Sequence, residues 1–292
     1  MPEVTKRDIA AVIVLYHPSV TVRDNVTAFA SQVDRVFAVD NSEQPDSALV
    51  YSPRTCENLD YLALGDNLGI AAALNAGAER ARAAGYSWIL TMDQDSAPEP
   101  DMVEKTLACL ESEPATPVIA ILSPEHHQVG APAPQRVEGC ADVLTTMTSG
   151  NLLSLAAFGD VGPFMEELFI DRVDAEYCLR LHRGGYRVVV AGGAVLHHRV
   201  GATRRRRFPY PAFPSNHSPL RHYYIARNRF AVARMYRTDF PGYGRFEMRH
   251  LAKEIAKVLL YETSKLEKLR MMWRGYRDYR RGRTGRFEEN AR

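Results

Sequence analysis

Asp93 and Asp95 stand one residue apart at the end of Ser87-Trp-Ile-Leu-Thr-Met-Asp-Gln-Asp-Ser96, an apolar run that stops abruptly in two carboxylates. Such a run predicts a buried strand of a parallel sheet, whose carboxyl end is where open α/β sheets bind ligands. In an extended segment residues i and i+2 point to the same side. Both carboxylates can then meet one hard cation, Mg²⁺ or Mn²⁺, with phosphate oxygens completing its shell. A lone D-x-D pair is also what a solvated loop or the approach to a helix cap looks like. Its meaning depends on what else reaches the same crevice.

The elements that would position it alternate. Apolar runs at Ile9–Tyr16, Val33–Val39, Leu59–Leu64 and Val118–Leu122 read as strands, with helices over about Val22–Gln32, Gly69–Ala84 and Glu99–Glu111. This alternation predicts an α/β fold, a mostly parallel sheet with helices on both faces. Asp40, Asn41, Asp66, Asn67, Asp93 and Asp95 all fall at predicted strand ends. Turn propensity explains each Asx residue singly, but one binding crevice explains them jointly.

Residues 123–142, rich in Pro, His and Gln, read as a surface loop, and Val143–Thr148 as a strand entering Ser149-Gly150-Asn151. Val173, Tyr177, Leu179 and Leu181 predict a helix stopped at Gly184-Gly185. Asp171 and Asp174 fall in its first turn, where N-terminal capping is the plain reading. A last strand, Tyr186–Leu196, runs into His197-His198-Arg199-Val200-Gly201, and Arg221, Arg227 and Asn228 sit on a further predicted helix. Guanidinium groups there suit bidentate phosphate contacts, and a solvated basic helix face is the alternative.

With 46% hydrophobic and 25% charged residues over 292 positions, the chain predicts one large core plus an extension. Its longest apolar or glycine run, Val188–Leu196, is far short of the roughly 20 residues a membrane-spanning helix needs. The N-terminus enters a strand rather than a signal-like segment, which predicts a cytoplasmic protein. Cys56, Cys109, Cys140 and Cys178 show no paired spacing and read as reduced thiols. The net charge of +2 hides an asymmetry: residues 201–292 hold 23 of the 37 Lys and Arg but only 8 of the 35 Asp and Glu. A basic extension facing an anionic surface follows from that split. From Arg245 to about Arg280, Leu251, Ile255, Val258, Leu259, Leu266, Leu269, Trp273 and Tyr276 recur at helical spacing between Lys and Arg. That pattern fits a helix packed on the body, or one that lays Leu, Met and Trp into a membrane while Lys and Arg meet anionic headgroups. No nucleic-acid-binding module is recognisable.

Seven motifs in register resemble the inverting family 2 glycosyltransferases of GT-A (Rossmann-like) fold, in their rhamnosyltransferase branch. They are Val14-Leu-Tyr-His-Pro18, Val39-Asp-Asn-Ser42, Asn67-Leu-Gly-Ile70 with Asn75-Ala-Gly77, Met92-Asp-Gln-Asp-Ser96, Phe169 to Arg180 with Gly185-Tyr186, His198-Arg-Val-Gly201, and Tyr223-Tyr-Ile-Ala-Arg-Asn228. They span about Ile9–Arg229 of the chain; nothing after about Arg237 matches a family pattern.

The resemblance implies a GT-A catalytic domain over residues 1–205 and a basic helical extension over 206–292. It implies that Asp40 contacts the nucleotide base, that Asn41 and the Asn67–Gly69 turn line the nucleotide pocket, and that Arg227 lies near the donor diphosphate or the acceptor. Asp95 becomes the direct ligand of Mg²⁺ or Mn²⁺, Asp93 a ligand of metal or ribose, and His198, preferred over His197, completes the set. The family's catalytic base is the Asp of a Glu-Asp pair, here Asp174, with Val173 in place of the Glu and Asp171 and Glu176 left as supporting candidates. The implied reaction transfers L-rhamnose from dTDP-L-rhamnose, with inversion, to a polyprenyl-diphosphate-linked glycan at the inner face of the cell membrane. A UDP-hexose or UDP-galactofuranose donor is the alternative within the class. A nucleotidyltransferase would need a Gly-rich, Arg-containing loop where Leu15-Tyr16-His17-Pro18 stands, and a membrane-docking scaffold with a decayed site is the non-enzymatic alternative.

Overall fold

The computed structural model describes residues 4–50, 58–128, 137–198 and 216–289. Cys56 and the Arg204–Arg207 run lie outside them. The chain divides into two compact units, Met1–Met165 with Tyr177–Arg199, and Glu166–Glu176 with Val200–Arg292. Residues 166–176 therefore fall with the C-terminal unit, whereas the sequence reading kept them in the catalytic domain.

The first unit is built on β1 (Ile9–Leu15), all seven residues of which are buried. A strand covered on both faces reads as an uninterrupted apolar run, which is why it was legible. β2 (Arg35–Asp40) and β4 (Trp88–Asp93) flank it in parallel, and β3 (Leu59–Ala63) continues the parallel half beside β2. The sheet proceeds from β4 through β8 (Asn151–Ser154), β6 (Ile119–Gln128) and β9 (Arg187–His198) to β5 (Ser96–Pro98), with β7 (Cys140–Asp142) also on β9. β8 is antiparallel to β4 and β6, as are β5 and β7 to β9, so six of the nine strands share one direction among the described residues.

Side-chain alternation on β1 puts helices on both faces. Ile9, Ala11, Ile13 and Leu15 share a core with Val22, Val26 and Phe29 of α1 (Val22–Ala30) and Met102 and Val103 of α3 (Met102–Ser112). Val12 faces the other way, against Gly77 of α2 (Ile70–Ala83). The α/β expectation is borne out, with local differences. The expected strand at Val143–Thr148 is absent; β7 ends before it and β8 begins after it. A short helix, α4 (Leu155–Val161), capped by the Ser154 hydroxyl, follows β8. Cys109 and Cys140 form a disulfide where reduced thiols were expected, and Cys178 is buried.

The helix expected near Gly184 is α5 (Val173–Arg183). The second unit holds α6 (Pro219–Met235), α7 (Pro241–Tyr261) and α8 (Lys265–Arg280). The single tail helix read from periodicity is thus two, broken at Glu262–Ser264, where Ser264 takes φ +50°. Among the described residues no helix is long and apolar enough to cross a membrane. α6 and α8 meet at Gly275, where a Cβ would lie 2.4 Å from the carbonyl oxygen of Tyr223 and 3.1 Å from the amide nitrogen of Arg227. Neither backbone atom can give way without moving α6. Gly275→Ala is expected to cost about 1–3 kcal/mol, read as a lower midpoint of urea unfolding. Gly244→Ala, in a helical position of α7 with nothing near its missing Cβ, should instead be stabilising by about 0.5–1 kcal/mol.

Candidate active site

Parallel register places the predicted carboxylates around the end of β1. Leu15 pairs with Asp40 on one side and Val14 with Asp93 on the other, so both acids sit at strand carboxyl ends flanking Tyr16 and His17. Asp40 is fully buried. One of its oxygens accepts from the Ser42 amide at 3.0 Å, the other from the Tyr61 hydroxyl at 2.6 Å. The next residue, Asn41, donates to Asn67 Oδ1 at 3.2 Å and accepts from the Leu68 amide at 2.8 Å. Asn67 Oδ1 in turn accepts from the Gly69 amide at 3.1 Å. Gly69, at φ +91°, turns the chain into α2, a conformation that an L side chain would strain. Asn41, Asn67 and Gly69 therefore form one knot tying the end of β2 to the start of α2, and Asp40 holds the end of β2 to β3 through Tyr61.

The D-x-D segment departs from its expected form. β4 ends at Asp93, and Gln94 and Asp95 make a turn before β5. The i, i+2 alternation of an extended strand does not apply to Asp95, which is exposed while Asp93 is part-buried. The cause is Gln94: its side chain accepts from the Tyr16 amide at 2.8 Å and donates to the Tyr16 carbonyl at 3.0 Å, while Asn25 donates to its backbone carbonyl at 2.7 Å. Ser149 braces the other side, accepting from the Asp93 amide at 3.0 Å and donating to Ser96 Oγ at 2.9 Å. Tyr61, Gln94 and Ser149 were not singled out by the sequence reading. Gln94 stood inside the motif, and the polar triplet Ser149-Gly150-Asn151 was the one local signal for Ser149.

In the β5–β9 pairing the backbone of His198 lies opposite Ser96, directly after Asp95. The His198 side chain lies outside the described residues. His197 Nε2 is engaged by Glu99 Oε1 at 2.6 Å. Among the described residues no three His, Cys, Asp or Glu side chains converge as a metal site.

Asp174 belongs to the second unit, in the first turn of α5. Its carboxylate is part-buried and accepts from the following amide, Ala175, at 2.7 Å. Burial pushes its pKa up, against the opposing pull of that amide and of Arg172, with Asp171 adding to the rise. Of the supporting candidates, Asp171 receives two bonds from Arg221, at 3.2 Å each, and Glu176, fully buried, accepts from the Tyr236 hydroxyl at 2.8 Å. Arg227, expected near a phosphate, is 2% exposed and donates to the carbonyls of Gly285, Glu167 and Leu168 and to Asn228 Oδ1. Its guanidinium is committed to the chain's own carbonyls because it lies beneath the Glu167–Leu168 segment.

Residues 10–136 match the family described as Glycosyl transferase family 2. The chain is 30% identical over 243 residues, 78% of its own length and 80% of the other's, to a dTDP-rhamnosyl transferase, RfbF, of Shigella flexneri. Among solved structures, residues 1–349 of S. aureus TarS align with a TM-score of 0.59 at 13% identity, over 93% of this chain and 80% of that one. The same fragment in complex with UDP-GlcNAc aligns with a TM-score of 0.57 at 16% identity, over 94% and 81%. GalNAc-T7 with UDP, GalNAc and Mn²⁺ gives 0.57 at 9% identity, over 94% and 56%. These structures share the fold.

The raised pKa of Asp174 makes a statement about stability. A carboxyl whose folded pKa exceeds its unfolded value favours folding below the unfolded pKa and loses that contribution as pH rises through the folded one. At neutral pH, above the unfolded value, the raised pKa makes Asp174 a net cost to folding. Asp174→Asn should therefore unfold at a higher temperature than the parent at pH 7, with the gap closing below the usual Asp range. Thermal melts of both proteins across that pH range check the sign.

Proposed function

This chain belongs to the family 2 glycosyltransferases, in a rhamnosyltransferase-like branch, and from that premise we propose that it transfers L-rhamnose from dTDP-L-rhamnose to a glycan precursor, inverting the anomeric centre. The observation that carries the donor assignment is the similarity to the dTDP-rhamnosyl transferase over 80% of that protein's length. The knot of Asn41, Asn67 and Gly69 supports a nucleotide pocket at the ends of β2 and β3. Asp40, through its hold on Ser42 and Tyr61, shapes the wall of the base site.

In this reading Asp174 is the base. It takes the proton from the acceptor hydroxyl as that oxygen attacks the anomeric carbon, and the bond from that carbon to the diphosphate breaks, its electron pair leaving with the nucleoside diphosphate. A part-buried carboxylate whose pKa is raised is better matched to that transfer than a solvated one. Asp93, Asp95 and His198 are the residues that would hold Mg²⁺ or Mn²⁺. Two carboxylates and an imidazole are a fitting donor set, and the register of His198 opposite Ser96 supports grouping them. When bound, such a cation neutralises charge on the departing diphosphate.

The acceptor we propose is a polyprenyl-diphosphate-linked glycan, reached by peripheral attachment at the inner face of the membrane. Exposed Leu260, Leu266 and Trp273 on α7 and α8 support that reading, since they lie among Lys and Arg. Release of nucleoside diphosphate from dTDP-, UDP- and GDP-sugars, with Mn²⁺ or Mg²⁺ and a lipid extract, tests the donor. Turnover of dTDP-L-rhamnose is expected, whereas turnover of a UDP-sugar alone would discard the rhamnosyl assignment. Asp174→Asn should lower kcat by about 10²- to 10⁴-fold, and transfer that continues unimpaired in EDTA would remove the metal role of Asp93, Asp95 and His198.

A further inference from the structure

Just before α5 the chain passes through Phe169, Asp171 and Arg172 at φ +65°, +66° and +67°. Non-glycine residues seldom take that conformation, and three within four positions persist only where their surroundings hold them. What holds them is α6. Asn228, 1% exposed, directs its side-chain amide at the carbonyls of Leu168 (2.8 Å), Ile170 (2.7 Å) and Asp171 (2.9 Å), two N–H groups shared among three acceptors. Arg227 Nη2 adds bonds to the carbonyls of Glu167 (3.2 Å) and Leu168 (3.0 Å). Its Nε donates to Asn228 Oδ1 at 2.9 Å, which fixes which end of the Asn amide faces the loop. Arg221 clasps the Asp171 carboxylate, and from α7 Glu247 accepts from Arg172 at 2.8 Å.

The residue types are specific to this task. A neutral amide can donate twice to carbonyls without placing a charge among them; an anion there would repel all three, and an apolar side chain would deprive Ile170 and Asp171 of this donor. Phe169 stacks on Tyr224 at 5.2 Å, and the Arg227 guanidinium lies over both Tyr223 and Tyr224, so the donors sit on a packed base.

We propose that Arg227 and Asn228 are positioning residues for Asp174. By holding the carbonyls of Glu167–Asp171 they set where the first turn of α5 begins, and so where the base carboxylate stands, without touching donor or acceptor. This rests on the reading of Asp174 as the base.

The test uses the full chain with dTDP-L-rhamnose and a lipid extract as acceptor source, comparing the parent with Asn228→Asp, Arg221→Ala and Asp174→Asn. Asn228→Asp keeps the volume and removes the amide donors. It is expected to lower kcat by about 10- to 100-fold, to leave the donor KM and calorimetric dTDP affinity within about twofold, and to move the acid limb of the kcat profile. That movement follows because a loosened loop and the added carboxylate change the water and charge around Asp174, which Asp171 and Arg172 face from the loop and Tyr243 from α7. Arg221→Ala removes a clasp at the surface, so it keeps the test open should Asn228→Asp fail to fold; it should lower kcat by about three- to tenfold.

Parental kcat in both variants, with Asp174→Asn inactive, overturns the positioning role and leaves the base assignment standing. Loss of kcat together with dTDP affinity, and no movement of the acid limb, also overturns it, since general structural damage behaves that way. Full activity of Asp174→Asn removes the base assignment itself, and the positioning role with it.

Discussion

A polar atom taken out of water must find a partner inside the protein or cost about 1–3 kcal/mol, and each candidate site in this chain is built by that requirement. At the end of β2, Asp40 is fully buried, and its two oxygens are met by Ser42 and Tyr61. Its neighbour Asn41 closes the turn into α2 through Leu68 and Asn67. In the second unit the carbonyls of Leu168, Ile170 and Asp171 cannot pair within a helix or a strand, because positive φ values at Phe169, Asp171 and Arg172 take the chain out of both. Asn228 pairs them instead. The residues that resemble a nucleotide-binding and catalytic set are, at the same time, the ones that settle these debts of hydrogen bonding.

The same requirement explains what could be read in the sequence. β1, β2 and β4 were legible because strands buried on both faces must be apolar throughout, and their ends were legible because Asp40-Asn41 and Asp93 interrupt the runs. What was missed depended on partners far along the chain. Nothing near Asp95 says that Gln94 will be claimed by Tyr16, 78 residues away, and that the strand will stop for that reason. Nothing near Arg227 distinguishes a guanidinium aimed at phosphate from one aimed at carbonyls 59 and 60 residues upstream. Helical spacing from Arg245 onward is real, but periodicity carries no signal for the break at Ser264, since a short interruption leaves the apolar repeat almost in phase.

Buried ion pairs also change how the basic extension should be understood. Glu247 lies between Arg172 and Arg229, at 2.8 and 2.9 Å, and Glu262 meets Lys268 at 2.8 Å with His222 at 3.4 Å. Burial opposes ionisation of Glu254, but its contacts with His222 and Arg229 outweigh that and hold its pKa at about 2. Asp278 is buried beside Tyr223, which donates to it at 3.1 Å. Pairs of this kind contribute little net stability, yet breaking one leaves a lone charge in the interior, so they fix α6, α7 and α8 in one arrangement.

Their consequence for the surface is direct. Only 8 of the 35 acidic residues lie in 201–292, and Glu247, Glu262 and Asp278 among them are turned inward. Arg227, Arg229 and Lys268 of the same stretch are buried with them, so the field beyond the surface carries the full basic excess of the composition. Exposed Leu266 and Trp273 lie on α8 within that field. Apolar side chains at the surface are stabilised by an apolar medium and Lys and Arg by anionic headgroups, and a membrane interface is where the two media meet. Under the peripheral attachment proposed above, it is therefore the composition of the extension, and not its internal pairing, that supplies the charge for an anionic lipid boundary.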